Sequence, residues 1–509
     1  MISLKSFPEK HFIETRELAF KLEPSDVGIW LLQSGFYPEQ YVLPPCFDSK
    51  SLKLNEECYI KNIKKLNYNQ AEELITISYP KSTMTDRVFG IMHPKYYHDI
   101  VWYIVKNWQS IIDHLFNENT KIYSYSFPIP VSKNKKGEVT CLRSGRMIYM
   151  FLEMAEKDLV ADSHRFKYIL HTDITNFYGS IYTHTIGWAL YTKEVARNNM
   201  YNFKDYPCLA VDKLVYYSND LCTNGIPIGP ALSDLIAEIV LVSIDRKCSD
   251  VLCDIEFVGV RYKDDYRFLC KSEADAKQIL KTLQESLREF RLNVNESKST
   301  ILTLPDGIYR KWTSEYYHYS LRRFLKINFT QFEYTIRAIL QIDEKFPGTG
   351  VIDRFLSELF SKKQKMKLIL QNTNLRIRTY SLLLQLRERR PKSYAFILAI
   401  IEAILTKYPD DIELFEYVKE TMNERYKELS NSKNEMDFEL LWTAYFLKVV
   451  LKEKIQSGSR NPLVESVINE KQEYFKDFNL FSFNPTQKSN HLLTHLQIFN
   501  LQQSDEENS

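Results

Sequence analysis

The four residues Tyr262-Lys263-Asp264-Asp265 sit between FVGVR and YRFLC, two short runs rich in β-formers with partial alternation. That pattern predicts a hairpin with two carboxylates at its tip. Adjacent like charges repel, and burying them is costly unless a cation neutralises them, so a doublet on a tight turn suits Mg²⁺. The string alone is a weak signal, because Tyr408-Pro409-Asp410-Asp411 matches it too. The second copy lies between AIIEAILTK and IELFEYVKE, which have helical spacing, and Pro followed by Asp-Asp is what a helix start prefers. Asp410 and Asp411 therefore read as a cap.

An earlier string, HTDITNFYGSIYTHTI, uses an apolar YIL run to deliver Asp173 to the end of a predicted strand. Phosphoryl transfer by two metals needs carboxylates from separate elements converging on ions about 3.5–4 Å apart. Asp173 supplies the second element. Between the two strings, Gly225 to Ser233 reads GIPIGPALS and runs straight into an apolar helix. Its glycines let backbone approach a substrate closely, and the following helix is placed to support a template strand or an incoming nucleotide. Taken alone, the segment reads more readily as ordinary Gly/Pro turn chemistry.

The elements that must position these residues fall into two halves. Tyr97 to Leu115 carries apolar residues at helical spacing, and VSKNKKGE at 131–138 reads as a charged turn between strands. From Phe166 to Leu304, short β-rich runs (YILHTDI, FVGVRYK, YRFLC, STILTL) alternate with helical stretches such as Leu235 to Asp245 and Ala274 to Phe290, which predicts an α/β or α+β catalytic body. After about residue 310 the strand-like runs largely stop. Long amphipathic segments follow to about 455, broken near Pro347, Pro391 and Pro409. They pair at roughly the 40-residue scale of helical-hairpin repeats without a repeated consensus, so a solenoid and a plain helical bundle both remain open. The expected organisation is a catalytic domain over 1–310, an all-α domain over 311–500 and a polar tail over 501–509.

At 509 residues the chain exceeds one ordinary core, and 44% hydrophobic with 26% charged content is normal for a folded protein that is not membrane-embedded. The formal charge of only +2 means that any nucleic-acid site must be a local groove. Basic clusters that could line one are Lys133, Lys135 and Lys136, then Arg322 and Arg323, then Arg387, Arg389 and Arg390, though each taken alone reads more readily as a solvated face. Eight cysteines without a CxxC pair indicate neither a disulfide framework nor a zinc site. The start MISLKSFPEKHF lacks an apolar signal region, and no run is long enough to span a membrane, so a reduced, cytoplasmic location is expected.

The order and spacing of the three strings resemble the reverse transcriptases, whose palm carries motif A (Asp173 with Phe177-Tyr178), motif B (Gly225 to Ser233) and motif C (Tyr262 to Asp265). The resemblance extends through a motif-D-like RLNVNESKS containing Lys298 and a motif-E-like ILTLP ending at Pro305, about 130 residues in all. It implies a right-hand palm-and-fingers fold and a site in which Asp173, Asp264 and Asp265, with the backbone carbonyl of Ile174, hold two Mg²⁺ ions, with Mn²⁺ as the alternative. It implies that Lys298 assists the leaving pyrophosphate, unless Lys298 is a solvated loop lysine. Tyr178 would lie under the sugar of an incoming deoxynucleotide and exclude a 2′-hydroxyl, or else is a core tyrosine. Gly229 and Ser233 would border the nucleotide, and Arg143 or Arg146 would grip its triphosphate.

One position departs from common reverse transcriptases: Ile228 precedes the motif B glycine where they have a glutamine that contacts the incoming nucleotide. The GIPIGP form of motif B, the DITNFY form of motif A, HPKYY at 93–97, FELLWTAYFLK at 438–448 and the long helical second half are similar to the abortive-infection (Abi) reverse transcriptases, the group of AbiK and its prophage-encoded relatives. That resemblance implies an antiphage protein that builds DNA from dNTPs without a template, primed by its own tyrosine so that the product is covalently attached. It also implies HEAT-like repeats, homo-oligomers and a phage-derived trigger. The priming tyrosine has no motif; Tyr37 and Tyr41, in the Pro-bracketed stretch GFYPEQYVLPP expected to be a mobile loop, are candidates. The alternatives are a templated enzyme of a retroelement and a non-catalytic scaffold that binds nucleic acid or protein.

Overall fold

The run YILHTD forms a strand, β4 (Tyr168–Asp173), in which the neighbours Ile169 and Leu170 face opposite ways and are both fully buried, so the sheet around it is covered on both sides. In the computed structural model, which describes residues 5–131, 137–139, 150–361, 363–432, 436–456, 461–483 and 491–496, this strand belongs to a five-stranded sheet. Its members are β3 (Ile122–Ser124), β4, β5 (Phe257–Tyr262), β6 (Asp265–Cys270) and β7 (Thr300–Thr303), in the order β3-β5-β6-β4-β7. Every pairing is antiparallel except β3 with β5. Separately, β1 (Ile75–Pro80) and β2 (Asp86–Ile91) form a two-stranded ribbon.

On one face of the five-stranded sheet, Ile169, Val258, Val260 and Leu269 pack with Met154, Leu159 and Ile308. Helix Glu273–Glu289 packs against β4 and β6 and against helix Ala231–Val251, which also reaches β3. Ser272 caps the first of these helices in a reciprocal box with Asp275. Close packing decides Gly259 in β5: a Cβ there would come within 3.0 Å of both Ile122 and Phe268. The predicted helix Tyr97 to Leu115 is two, Pro94–Lys106 and Trp108–Leu115. Asn107 separates them, its side-chain amide donating to the Tyr103 carbonyl at 2.7 Å in competition with the helical ladder.

The chain divides into two compact units, one of Met1–Pro38, Ser49–Ile75 and Gly90–Tyr309, the other of Glu39–Asp48, Thr76–Phe89 and Arg310–Ser509. The second is helical, with Phe329–Lys345, Val351–Glu358, Thr373–Arg389, Tyr394–Lys407, Ile412–Asn431 and Asp437–Val449 as its main elements. It also contains a parallel ribbon of β8 (Ile327–Asn328) and β9 (Leu368–Ile369), too short to leave a periodic signal in the sequence. Segment 39–48 joins this unit because Trp442 Nε1 donates to the Val42 carbonyl at 3.1 Å and His495 Nε2 to the carbonyls of Gln40 and Leu43, each at 3.0 Å. The stretch expected to be a mobile loop is irregular but packed, with Phe36 and Val42 fully buried. Among the described residues no helix is long and apolar enough to cross a membrane.

Candidate active site

Register brings the predicted carboxylates together. Asp173, the last residue of β4, lies directly opposite Asp265, the first residue of β6, and Tyr262 at the end of β5 pairs with the same Asp265. Lys263 and Asp264 are therefore the two-residue turn of the β5–β6 hairpin, with Lys263 in the left-handed region at φ +52°. The Ile174 amide donates to the Asp264 carbonyl at 3.2 Å, and the Asn295 amide to the Asp173 carbonyl at 2.7 Å, so the strand end and the tip are fastened to each other through backbone. This places Ile174 and the segment carrying Lys298 at the same edge.

The electrostatics are those of carboxylates held against their preference. Burial pushes the Asp264 carboxyl up, and repulsion from Asp173 pushes it further. Asp265 is also raised by burial, although Arg267, 3.5 Å away, pulls the other way. Lys298 Nζ donates to Asp173 Oδ2 at 2.8 Å with its own side chain mostly exposed. Hard oxygen donors on two strand ends and a turn, with two of the three carboxyls raised by burial, suit a hard divalent cation. Among the described residues no three such side chains are already gathered into a ligand cluster, and Lys298 and Arg267 each engage one of these carboxylates.

Beneath the tip lies a support that the sequence reading did not identify. Arg261, fully buried, donates from Nε to Asp245 at 2.7 Å and from its two terminal nitrogens to Glu238 at 3.0 and 2.8 Å. Tyr266 completes the set by donating to the other Asp245 oxygen at 2.8 Å. Burial works against the Arg261 charge, but Asp245 and Glu238 outweigh it and hold the guanidinium protonated. Both strands of the hairpin are thereby bonded to helix Ala231–Val251. The signal was present in the sequence: Arg261 and Glu238 are lone charges in apolar runs, and a buried charge requires a partner.

Tyr178 lies in the short helix Phe177–Ser180, which follows Asn176 in the left-handed conformation. Its hydroxyl donates to Asp234, in the first turn of helix Ala231–Val251, and Lys263 Nζ bonds the same carboxylate oxygen at 3.2 Å. Asp234 and Lys263 thus join all three strings, although their residue types gave no warning of it. The motif B segment is held to the motif A segment by the Ile226 amide on the Tyr178 carbonyl at 2.9 Å and the Gly225 amide on the Ile181 carbonyl at 2.8 Å. Gly225 sits at φ +90°, where a Cβ would also meet the Gly179 carbonyl oxygen at 3.2 Å, so glycine is required there. Gly229, also at positive φ, follows Ile228, whose carbonyl accepts from Gly90 at 3.0 Å. Ser233 is fully buried, and its hydroxyl has no partner among the described residues.

Arg143, Arg146, Lys133, Lys135 and Lys136 lie outside the described residues. Tyr37 is 7% exposed, its ring edge-on to Phe36, and Tyr41 is half-buried against Tyr79. Arg387 and Arg390 are engaged by Glu439 and Asp353, and Arg322 by Glu358, so these basic residues serve the helical unit's own packing.

A family model described as reverse transcriptase (RNA-dependent DNA polymerase) matches residues 61–335, more than half of the chain and the whole of the site. No curated protein matches. Among solved structures, the chain is similar to apo telomerase from Candida tropicalis, with 10% identity over 74% of this chain and 68% of that one at a TM-score of 0.32. Telomerase from Candida albicans in complex with a fragment of telomeric RNA gives 11% identity over 76% and 67% at a TM-score of 0.29. These two likenesses are too slight to carry an argument. Reverse transcriptase domains bind nucleotides and nucleic acids and generally use divalent metals, usually Mg²⁺. On the family match, the chain belongs to the reverse transcriptase family and is an RNA-directed DNA polymerase-like nucleotidyltransferase.

Proposed function

We propose that this polymerase is of the abortive-infection type, joining dNTPs into DNA without a template, from one of its own tyrosine hydroxyls, as a cytoplasmic antiphage defence. The observation that carries the chemistry is the register that sets Asp173 opposite Asp265 with Asp264 on the adjoining turn. Asp173 and Asp264, with Asp265 beside them and the Ile174 carbonyl, would hold two Mg²⁺ ions, or Mn²⁺ in their place. When bound, such ions lower the pKa of the attacking hydroxyl and neutralise charge on the pyrophosphate. The attacking oxygen bonds to the α-phosphorus as the bond to pyrophosphate breaks. Lys298, exposed and bonded at its tip to Asp173, would turn toward the departing pyrophosphate and give it charge or a proton. Tyr178, its hydroxyl fixed by Asp234, would present a rigid ring to the sugar, with Gly229 bordering the nucleotide and Arg143 or Arg146 on its triphosphate, whereas Ser233 is fully buried and does not reach it.

Ile228 supports untemplated synthesis, because an aliphatic side chain there cannot make the polar contact that a glutamine makes with an incoming nucleotide. A HEAT-like array in the second unit is supported by its packing: Thr373–Arg389 with Tyr394–Lys407 and Ile412–Asn431 with Asp437–Val449 form two helical hairpins, each helix also touching its counterpart in the next pair. Homo-oligomers and a phage-derived trigger belong to the same reading.

The test is to incubate purified protein with Mg²⁺ and labelled dNTPs, without primer or template, and run a denaturing protein gel beside Asp264→Ala. Label that shifts the wild-type band upward and is lost in the variant is expected. Label found only in free DNA, and only when an RNA template and primer are added, would replace this reading with a templated enzyme. Tyr178→Ala is expected to raise ribonucleotide incorporation by about tenfold or more, since a steric clash with one hydroxyl is worth roughly 1–3 kcal/mol; unchanged sugar selectivity would remove Tyr178 from that role.

A further inference from the structure

In the first unit, a cavity of about 510 Å³ opens between the helices that follow motif A and the segment that enters motif B. None of Asp173, Asp264, Asp265 or Tyr178 lines it. Its wall alternates rings with cations: Arg291 lies over Tyr182 at 4.4 Å, Lys213 over Tyr201 at 5.5 Å and Arg197 over Trp188 at 5.9 Å. Among the described residues none of these three cations is in an ion pair, whereas many basic side chains elsewhere in the chain are. The wall also holds one carboxylate, Asp212, bonded to His184 Nδ1 at 2.5 Å, so the three cations outnumber it.

We propose that this cavity binds a nucleobase carrying a phosphate, the base stacked on the exposed Tyr201 ring and bordered by Tyr182 and Trp188, and the phosphate held by Arg197, Lys213 and Arg291. Flat aromatic faces take any base by stacking, worth about 1–3 kcal/mol per base, and guanidinium groups are suited to phosphate oxygens. The volume fits one nucleotide and falls in the range of small-ligand pockets, about 300–1,000 Å³. Lys213 lies over the Tyr201 ring, and a base would replace it there while the ammonium turns to the phosphate. The wall is also coupled to the catalytic strings. The Thr183 amide donates to the Thr223 carbonyl at 2.9 Å, and Tyr182 bridges to Asn224, the residue before Gly225. A nucleotide seated here therefore stiffens the turn that is bonded to the Tyr178 carbonyl. A free nucleotide and one unit of a single DNA strand carry the same chemistry.

The experiment uses the full chain in EDTA, which silences metal-dependent binding at the carboxylates, and measures calorimetrically the binding of dAMP and of a 5′-phosphorylated strand of eight deoxyadenylates. Arg197 and Tyr201 are both exposed, so Arg197→Glu and Tyr201→Ala test the site with little risk to folding, which unchanged circular dichroism checks. Each variant is expected to weaken binding at least tenfold, while Asp264→Ala binds as wild type does, separating this site from the polymerase reading. If dAMP binds with that sensitivity the ligand is a free nucleotide; if only the strand does, it is DNA. Affinities within twofold of wild type in both variants, no binding by wild type, or inorganic phosphate binding as tightly as dAMP would each overturn the proposal.

Discussion

Tyr-x-Asp-Asp occurs twice in this chain, and the two copies meet opposite fates. At Tyr408 to Asp411 the string starts a helix: Asp411 accepts from the Leu414 amide at 3.1 Å and from Thr373 at 3.0 Å, and pairs with Arg376 at 2.5 Å. Burial disfavours the charge, but these partners outweigh it and hold the carboxyl below the usual range. At Tyr262 to Asp265 the string is a hairpin turn, and burial with repulsion raises the carboxyls. One copy is satisfied by the fold. At the other, burial and the neighbouring Asp173 outweigh what the nearby cations return, a balance common at functional sites. The four residues are nearly the same; what differs is whether the flanking residues follow a period of 2 or of 3.6.

The largest effect that would break this comparison concerns rate. Asp264→Ala is expected to lower nucleotide incorporation by about a thousandfold or more, since metal charge stabilisation is worth several kcal/mol and each 1.36 kcal/mol is tenfold. Asp411→Ala should leave incorporation by the remaining folded protein within about twofold. Equal losses in the two variants, measured per folded molecule, would end the distinction between them.

The next effect concerns stability and has the reverse ranking. Asp411→Ala removes a helix cap, worth about 1–2 kcal/mol, and strips Arg376 of its buried partner, a loss of about 3–5 kcal/mol when complete, so a cost of about 3 kcal/mol is expected. Asp264→Ala should cost less than about 0.5 kcal/mol in EDTA, because the native carboxylate is not stabilised by the fold. Chemical denaturation followed by circular dichroism checks both, and a larger loss in Asp264→Ala than in Asp411→Ala would contradict the assignment.

How much of this was legible follows the range of each interaction. The turn at Lys263-Asp264, the strand end at Asp173 and the cap at Asp411 are set by residues within a few positions, and local pattern identifies each of them. The Arg261 network with Glu238, Asp245 and Tyr266, and the Tyr178–Asp234–Lys263 link, depend on helix Ala231–Val251 crossing beside the hairpin, which no local window contains. Similarly, segments 39–48 and 76–89 belong with the second unit through contacts hundreds of residues away, such as Trp442 to Val42, and nothing in their own composition announces it. The β8–β9 ribbon escaped because two residues cannot display a period.

The smallest effect is the most discriminating, because the two copies should respond to pH with opposite signs. The Asp411 carboxyl is lowered in the folded state, so the stability it contributes is present above its unfolded pKa of about 3.9 and is lost as pH falls through its lower folded value. Asparagine keeps the cap but not the charge, so Asp411→Asn should be less stable than wild type at pH 7, with the gap closing below about pH 4. The Asp264 carboxyl is raised, so its linkage runs the other way: the protonated form is favoured by the fold, and stability is lost as pH rises through the folded pKa. In EDTA, Asp264→Asn should therefore be more stable than wild type at pH 7, and this gap too should close below about pH 4. Added Mg²⁺ should reverse the second difference by stabilising wild type alone, since an ion that binds only the folded state raises its stability in proportion to occupancy. Unfolding temperatures of the three proteins from pH 3 to 7 decide it: differences of the same sign for the two variants at pH 7 would mean that both doublets are structural.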